Sequence, residues 1–165
     1  MIVKRVLDTV AGWIQTVDEA RDDDAVLLDV RRSVQADGFS CGAQSALMIL
    51  RCHGKGRSID ATMRALDTDE DGTSAGPLLK LFRQRGLKPV IKARATIADL
   101  RCGIENGAPS LVSLDDESHW GVVYGYSATR IYLGDPSIRK TLRVGLTVRA
   151  FRARWDRYAV VVHTR

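Results

Sequence analysis

Apolar positions along the chain follow two periods. From residue 41 to 53, CGAQSALMILRCH, they fall on nearly every side of a helical projection, which predicts a helix buried all round. Ser40 stands at its cap position and Gly54 at its stop. DATMRALD (60–67) and TSAGPLLKLFRQRG (73–86) predict two more helices, and the second closes on Gly86. KPVIKA (88–93) predicts a strand and TIADLRCGIENG (96–107) a helical turn or two. After Pro109 the period falls to two. PSLVSL, HWGVVYGY and TRIYLGD predict three strands separated by polar turns. TVRAFRARW returns to helical spacing and YAVVVH ends the chain as a strand. Upstream, residues 2–17 have the spacing of an amphipathic helix, DEARDDD (18–24) is an acidic linker, and AVLLDV is a short apolar element. We therefore divide the chain into an N-terminal helix and acidic linker, 1–29, and one folded domain, 30–165. Helices first and strands afterwards predict an α+β fold with a mainly antiparallel sheet, not alternating βαβ units.

A length of 165 residues suits one domain with a core of its own. The three cysteines, Cys41, Cys52 and Cys102, are odd in number and widely spaced. That argues against a disulfide framework and for a reducing compartment, and no pair has the CxxC spacing of a zinc site. No metal or cofactor is expected. The start of the chain has charges among its apolar residues, unlike a secretory signal, and no run is long enough to span a membrane, so a cytoplasmic protein is expected. The net charge of +5 is uneven. Its basic tail carries Arg139, Lys140, Arg143, Arg149, Arg152, Arg154 and Arg157. These are expected to form a solvated face, with an anionic partner as the alternative and nucleic acid disfavoured.

The chemistry begins with QADGFSCG, residues 35–42, a polar turn that ends in a cysteine at the mouth of the buried helix. There the helix dipole and free N–H groups favour thiolate over thiol. The second element is the hairpin HWGVVYGY-SAT-RIYLGDPS. A turn centred on Ser127 would set His119 directly opposite Asp135 on one face. A histidine held by a carboxylate keeps one ring nitrogen free to take a proton from a thiol. Gln35 could supply an amide N–H₂ that joins the Cys41 backbone N–H in binding an oxyanion. Each residue also has a plainer explanation: Cys41 as core, His119 as a satisfied strand histidine, Asp135 before Pro136 as a turn starter. Cys52 and His53 adjoin on a helix and point apart, and Cys102 beside Leu100 is expected to be structural.

Gln-x5-Cys-Gly entering a buried helix, DGTSAGPLLKLFRQRGLK, HWGVVYGY, IYLGDPS and the FRARWDRYAVVV ending together resemble the bacteriocin-processing cysteine peptidases. These are papain-like domains that cut leader peptides after a double glycine. The resemblance implies a papain-like fold whose nucleophile helix packs on the sheet. It implies that Cys41 is the nucleophile, His119 the general base, Asp135 its orienter and Gln35 the oxyanion residue. Many family members carry the domain in front of a membrane exporter with an ATPase. This sequence shows neither a span nor a phosphate loop, and it has Ser40 where the family often has aspartate.

The expected function is a stand-alone peptidase cutting after small residues, double glycine above all, in a leader or other unstructured peptide. Its partner would be that peptide or protein substrate, not nucleic acid or a membrane, and the sequence does not give an oligomeric state. The cleft is expected to be walled by Gly72, Thr73, Ser74 and Trp120. Three rivals remain: a non-catalytic leader-binding module, a toxin-like effector and an amidase.

Overall fold

The computed structural model describes residues 22–137 and 145–165. The helix expected over 2–17 lies outside them, as do Arg139, Lys140 and Arg143. In chain order the elements are β1 (Val26–Leu27), α1 (Cys41–Cys52), α2 (Ile59–Leu66), α3 (Ala75–Gln84), β2 (Leu87–Lys92), α4 (Ile97–Glu105), β3 (Ser110–Leu114), β4 (His119–Tyr126), β5 (Arg130–Gly134), β6 (Gly145–Thr147), α5 (Val148–Arg154) and β7 (Trp155–Thr164). The period change after Pro109 thus marks the switch from mainly helix to mainly strand. β6 was not foreseen, since three residues cannot display a period.

The strands form one sheet in the order β2-β7-β3-β4-β5-β6, antiparallel throughout, with β1 paired to the far end of β4. Alternation along the strands splits the core in two. Leu111, Val122, Tyr124, Val160 and Val162 face α1, α2 and α3, where they meet Met48, Ile49, Leu66, Leu78 and Phe82. Val112, Leu114, Val123, Leu133 and Ala159 face α4 and α5, where they meet Leu100, Phe151 and Trp155. With helices on both faces, β3 is buried at every residue, so SLVSL reads as continuous and not alternating. Two residues at the end of the acidic run are tied to the β4–β5 turn: Ser127 and Thr129 donate to Asp22 Oδ2 and the Ala128 N–H to Asp24.

Two local expectations need correction. Ser40 occupies the N-cap position of α1, but its side chain makes no capping bond. Asp37 does the local work instead, its Oδ1 accepting from the N–H groups of Phe39 and Ser40 at 2.9 and 2.7 Å. The second correction is the hairpin register. A turn centred on Ser127 would pair Val123 with Ile131, whereas Val123 pairs with Leu133 and Val122 with Gly134. Nearer the turn, Gly125 pairs with Tyr132 and Tyr126 with Ile131, so β4 carries one extra residue at Tyr124. This bulge has a consequence. Without it the turn-side register would place Asp135 opposite Val122, on the face away from His119. With it, Asp135 follows Gly134 to lie opposite Gly121, diagonal to His119 and on the same face.

Candidate active site

Cys41 is the first residue of α1. The face it comes from is made by packing: Ala43, Ala46, Met48 and Ile49 are fully buried. Gly42 stands where that helix is most closely approached. A Cβ there would lie 3.0 Å from Thr73 Cβ and 3.2 Å from Trp120 Cδ1, closer than side chains ordinarily pack. Trp120 is fixed by its own ring N–H, which donates to the Thr73 carbonyl at 2.8 Å, and by an edge contact with Tyr158 at 6.2 Å between ring centroids.

His119 and Trp120 are neighbours on β4 and therefore point to opposite sides of the sheet. Trp120 goes toward α1 and His119 toward the α5 side. There His119 Nε2 meets Asp135 Oδ1 at 2.8 Å. The remaining ring nitrogen is the one left for Cys41, whose thiol and the His119 ring influence each other electrostatically. The three residues named from sequence are thus brought together. Asp135 faces His119 diagonally, and not head-on as expected, because the ladder is displaced by two residues.

The electrostatics form one coupled set. Burial alone would push the Cys41 thiol up. The hydrogen bond from His119, the Trp120 N–H, the imidazolium charge and the Gly42 N–H together overcome it, and the thiol ends below its usual range. Burial alone would lower His119; its bonds to Asp135 and Cys41 and their charges instead raise it to about 9. Burial would raise Asp135, but bonds from His119, the Ser137 N–H and Arg154 hold it well below the usual carboxylate range. At neutral pH the arrangement favours a thiolate–imidazolium pair with a charged carboxylate behind it.

Arg154 is the residue that sequence reasoning missed. It had been assigned to a solvated basic face, yet its Nη1 donates to Asp135 Oδ2 at 3.1 Å. Arg32 holds the same segment by its backbone, donating to the carbonyls of Asp135 at 3.0 Å and Ser137 at 2.8 Å. No local signal separates these two arginines from the other basic residues.

Gln35 is buried, and its backbone N–H donates to the Pro136 carbonyl at 2.8 Å, which sets it beside the Asp135 segment. Its Nε2 donates to the Asp37 carbonyl at 2.7 Å, and its Oε1 has no partner among the described residues. A cleft of about 440 Å³ lies beside Gly42, lined by Thr73, Ser74, Ala75, Glu117, Trp120 and Tyr158, among others. Gly72 sits behind this wall: its φ of +86° makes the turn that carries Thr73. Cys52 is partly buried, while Cys102, expected to be structural, is exposed on α4. His53 bonds the Val162 carbonyl at 2.9 Å, away from the site. Among the described residues no group of three or more His, Cys, Asp or Glu is placed to hold a metal ion, and no helix is long and apolar enough to cross a membrane.

The chain belongs to the Peptidase C39 family, whose profile matches residues 30–165. Its fold is similar to that of a double glycine motif protease from an AMS/PCAT transporter, solved with its leader peptide. That match has 20% identity and a TM-score of 0.71, covering 84% of this chain and 94% of that one. It is also similar to the peptidase domain of Streptococcus ComA, a bi-functional ABC transporter of a quorum-sensing pathway, at 18% identity and TM-score 0.71, covering 82% and 99%. A putative C39-like peptidase from Bacillus anthracis aligns at 18% identity and TM-score 0.69, covering 87% and 99%. No curated protein matches the chain. At these identities the solved structures speak to the fold, which is the α+β, papain-like architecture expected from the sequence.

Proposed function

We propose that the chain is a cysteine peptidase that cleaves after small residues, a glycine pair above all, in a leader or other unstructured peptide. The observation that carries this is the His119–Asp135 hydrogen bond at 2.8 Å with Cys41 coupled to the same imidazole, its thiol lowered and the imidazole raised, near a cleft walled by Thr73 and Trp120. The Cys41 thiolate attacks the scissile carbonyl carbon, and the electron pair moves to the oxygen. The Cys41 backbone N–H and the second Nε2 hydrogen of Gln35, the one not given to Asp37, receive that oxyanion. His119 then delivers its proton to the leaving amine as the C–N bond breaks, leaving an acyl-enzyme. Water, deprotonated by His119, releases the acid and restores the thiolate. Asp135 holds the ring throughout.

The preference for glycine is supported by the similarity to a double glycine motif protease and by the aromatic walls that Trp120 and Tyr158 give the cleft. One methylene too many in such a cleft costs ~1–3 kcal/mol, or roughly 10- to 200-fold in kcat/KM. The test is a set of peptides ending Gly-Gly, Gly-Ala, Ala-Ala and Val-Val before the cut, run with wild type and Cys41→Ala. We expect kcat/KM to fall in that order and Cys41→Ala to cut none. A flat series, or a preference for Val-Val, would move the assignment to the effector or amidase class. Tight binding without cleavage by wild type would make it a leader-binding module.

A further inference from the structure

Arg154 ends α5, and its guanidinium lies between two carboxylates. Nη1 donates to Asp135 Oδ2 at 3.1 Å, while Nε and Nη2 donate to Asp115 Oδ1 and Oδ2 at 2.8 and 2.6 Å. The Arg154 carbonyl also accepts from the Asp115 N–H at 2.7 Å. Asp115 in turn opens the β3–β4 turn, which runs directly into His119. We propose that Arg154 is a positioning residue: it locks the orienting carboxylate and the turn that carries the histidine into one frame, so that Asp135 Oδ1 meets His119 Nε2 and the other ring nitrogen faces Cys41. The inference rests on the peptidase reading above and names a further part of its machinery.

The local chemistry favours this role over simple charge balance. Asp135 lies just beyond the end of β5, so the ladder does not fix its side chain. Its Oδ1 serves His119 and the Ser137 N–H, at 2.8 and 2.9 Å, and a rotation of the carboxylate would exchange its oxygens. A guanidinium is a rigid fork that can serve two carboxylates in fixed directions; an ammonium is a point charge that cannot. Arg32 does not duplicate the function, because it holds backbone carbonyls of the same segment and not the carboxylate. Removing Arg154 therefore leaves the segment anchored and takes from the Asp135 carboxylate the guanidinium that holds its Oδ2.

The experiment compares wild type with Arg154→Met, Arg154→Lys and Asp115→Asn, and adds a readout that needs no turnover: the rate at which iodoacetamide alkylates Cys41 at neutral pH. A misplacement of the catalytic base by an ångström costs on the order of 100-fold, so Arg154→Met should lose about that much kcat with KM unchanged. Cys41 alkylation should slow in the same variant. Arg154→Lys should recover part of both, and Asp115→Asn, which keeps the contact to Asp135, should lose least. If Arg154→Met does not fold, Arg154→Lys carries the test, with kcat and alkylation expected below wild type at unchanged KM. Variants that match wild type in kcat and alkylation would overturn the inference. So would a loss in Arg154→Met that appears in KM and that lysine does not relieve. Failure of the underlying reading looks different: wild type itself would cut no peptide, and its Cys41 would label no faster than Cys52 or Cys102.

Discussion

Cys41 and His119 reach the same point from opposite faces of the sheet, and the two faces hold them by different means. On the α1–α3 face the nucleophile rides on a helix buried from Ala43 through Leu50 and mostly apolar there, with Leu78, Leu81 and Phe82 in the same core. On the α4–α5 face the base and its orienter are held by charge: Arg154 to Asp135 and Asp115, and Asp156 to the turn before His119. That turn needs help. Asp115, Asp116 and Glu117 have φ of 57°, 58° and 61°, three successive left-handed residues, a conformation that costs roughly 1–2 kcal/mol each for an ordinary side chain. The lesson is a division of labour: packing fixes where the thiol sits, while a charged network fixes which way the imidazole points. Breaking one half should damage stability and breaking the other should damage rate.

The largest effect should come from Asp135→Asn. The amide is nearly isosteric, so the fold persists, but it can donate where the carboxylate accepted and so hold His119 in the wrong tautomer. We expect kcat to fall by about 10²- to 10⁴-fold in a protein that still folds, with some fall in Tm because the carboxylate charge is lost. Full activity in this variant would reduce Asp135 to a turn residue. The matching change on the packed face is Met48→Ala. Met48 is fully buried in α1, and its Sδ lies 3.2 Å from where a Cβ on Gly134 would be, directly before Asp135. Truncation should cost about 2–5 kcal/mol of stability, measured by denaturant unfolding. The molecules that remain folded should keep near-normal kcat. A large kcat loss at full stability in Met48→Ala would end the division of labour.

Next in size is the pH response, which belongs to the charged half. The His119 pKa in the folded protein, about 9, lies above its ordinary 6.5. Its contribution to stability is therefore fully present below pH 6.5 and is lost as pH rises through 9, with both limits set by the same pair of values. Asp135 works in the opposite sense: its lowered pKa contributes stability above the ordinary carboxylate range, and that contribution fades as pH falls. Tm should thus decline on the alkaline side, and kcat/KM should show an alkaline limb near 9, where the imidazolium loses its proton. Cys41→Ala removes one of the partners that raise His119, so its Tm should begin to fall at lower pH than that of wild type. Identical Tm–pH curves for the two proteins would show that the thiolate and imidazolium are not coupled.

The same division explains what could be read from the sequence. The α1 helix was legible because a run such as ALMIL can satisfy its residues only by burial, and the strand residues after Pro109 were legible by their period. Cys41, His119 and Asp135 were nameable because few other residues in the chain carry that chemistry at element ends. The path that joins His119 to Asp135 was not legible. The bulge at Tyr124 leaves no mark on an apolar strand, and a register guess wrong by two residues preserved the face only because the error was even. Arg154 and Arg32 were invisible for another reason. Their partners lie far along the chain, 19 residues away for Arg154 and 103 for Arg32, and neither Arg154 in the basic tail nor Arg32 in VRRSV has a local feature that tells an inward guanidinium from a solvated one.

The smallest effect should come from Asp156→Asn, which tests the turn alone. Asp156 sits on β7 and reaches across to the β3–β4 turn. Its Oδ1 accepts from the Asp116 N–H at 3.2 Å, and its Oδ2 accepts from the Glu117 N–H at 2.9 Å and the Ser113 hydroxyl at 2.8 Å. Both left-handed N–H groups are thereby satisfied by one carboxylate. An asparagine keeps one oxygen and turns an amide N–H₂ toward a donor, so one of the two N–H groups loses its acceptor. Because the turn is exposed, water can replace part of the loss, and the net cost should be about 1 kcal/mol. That is roughly a 2–4 °C fall in Tm for a chain of this size. Arg154 still holds Asp115 through three hydrogen bonds, so the turn should loosen at Asp116 and Glu117 without releasing His119, and kcat should drop by far less than in Asp135→Asn. Ser113→Ala, which removes the hydroxyl and leaves both N–H bonds, should be milder still. If Asp156→Asn instead abolishes activity at unchanged Tm, the turn sets the imidazole through Asp156 and not through Arg154, and the charged half of the site is organised around β7.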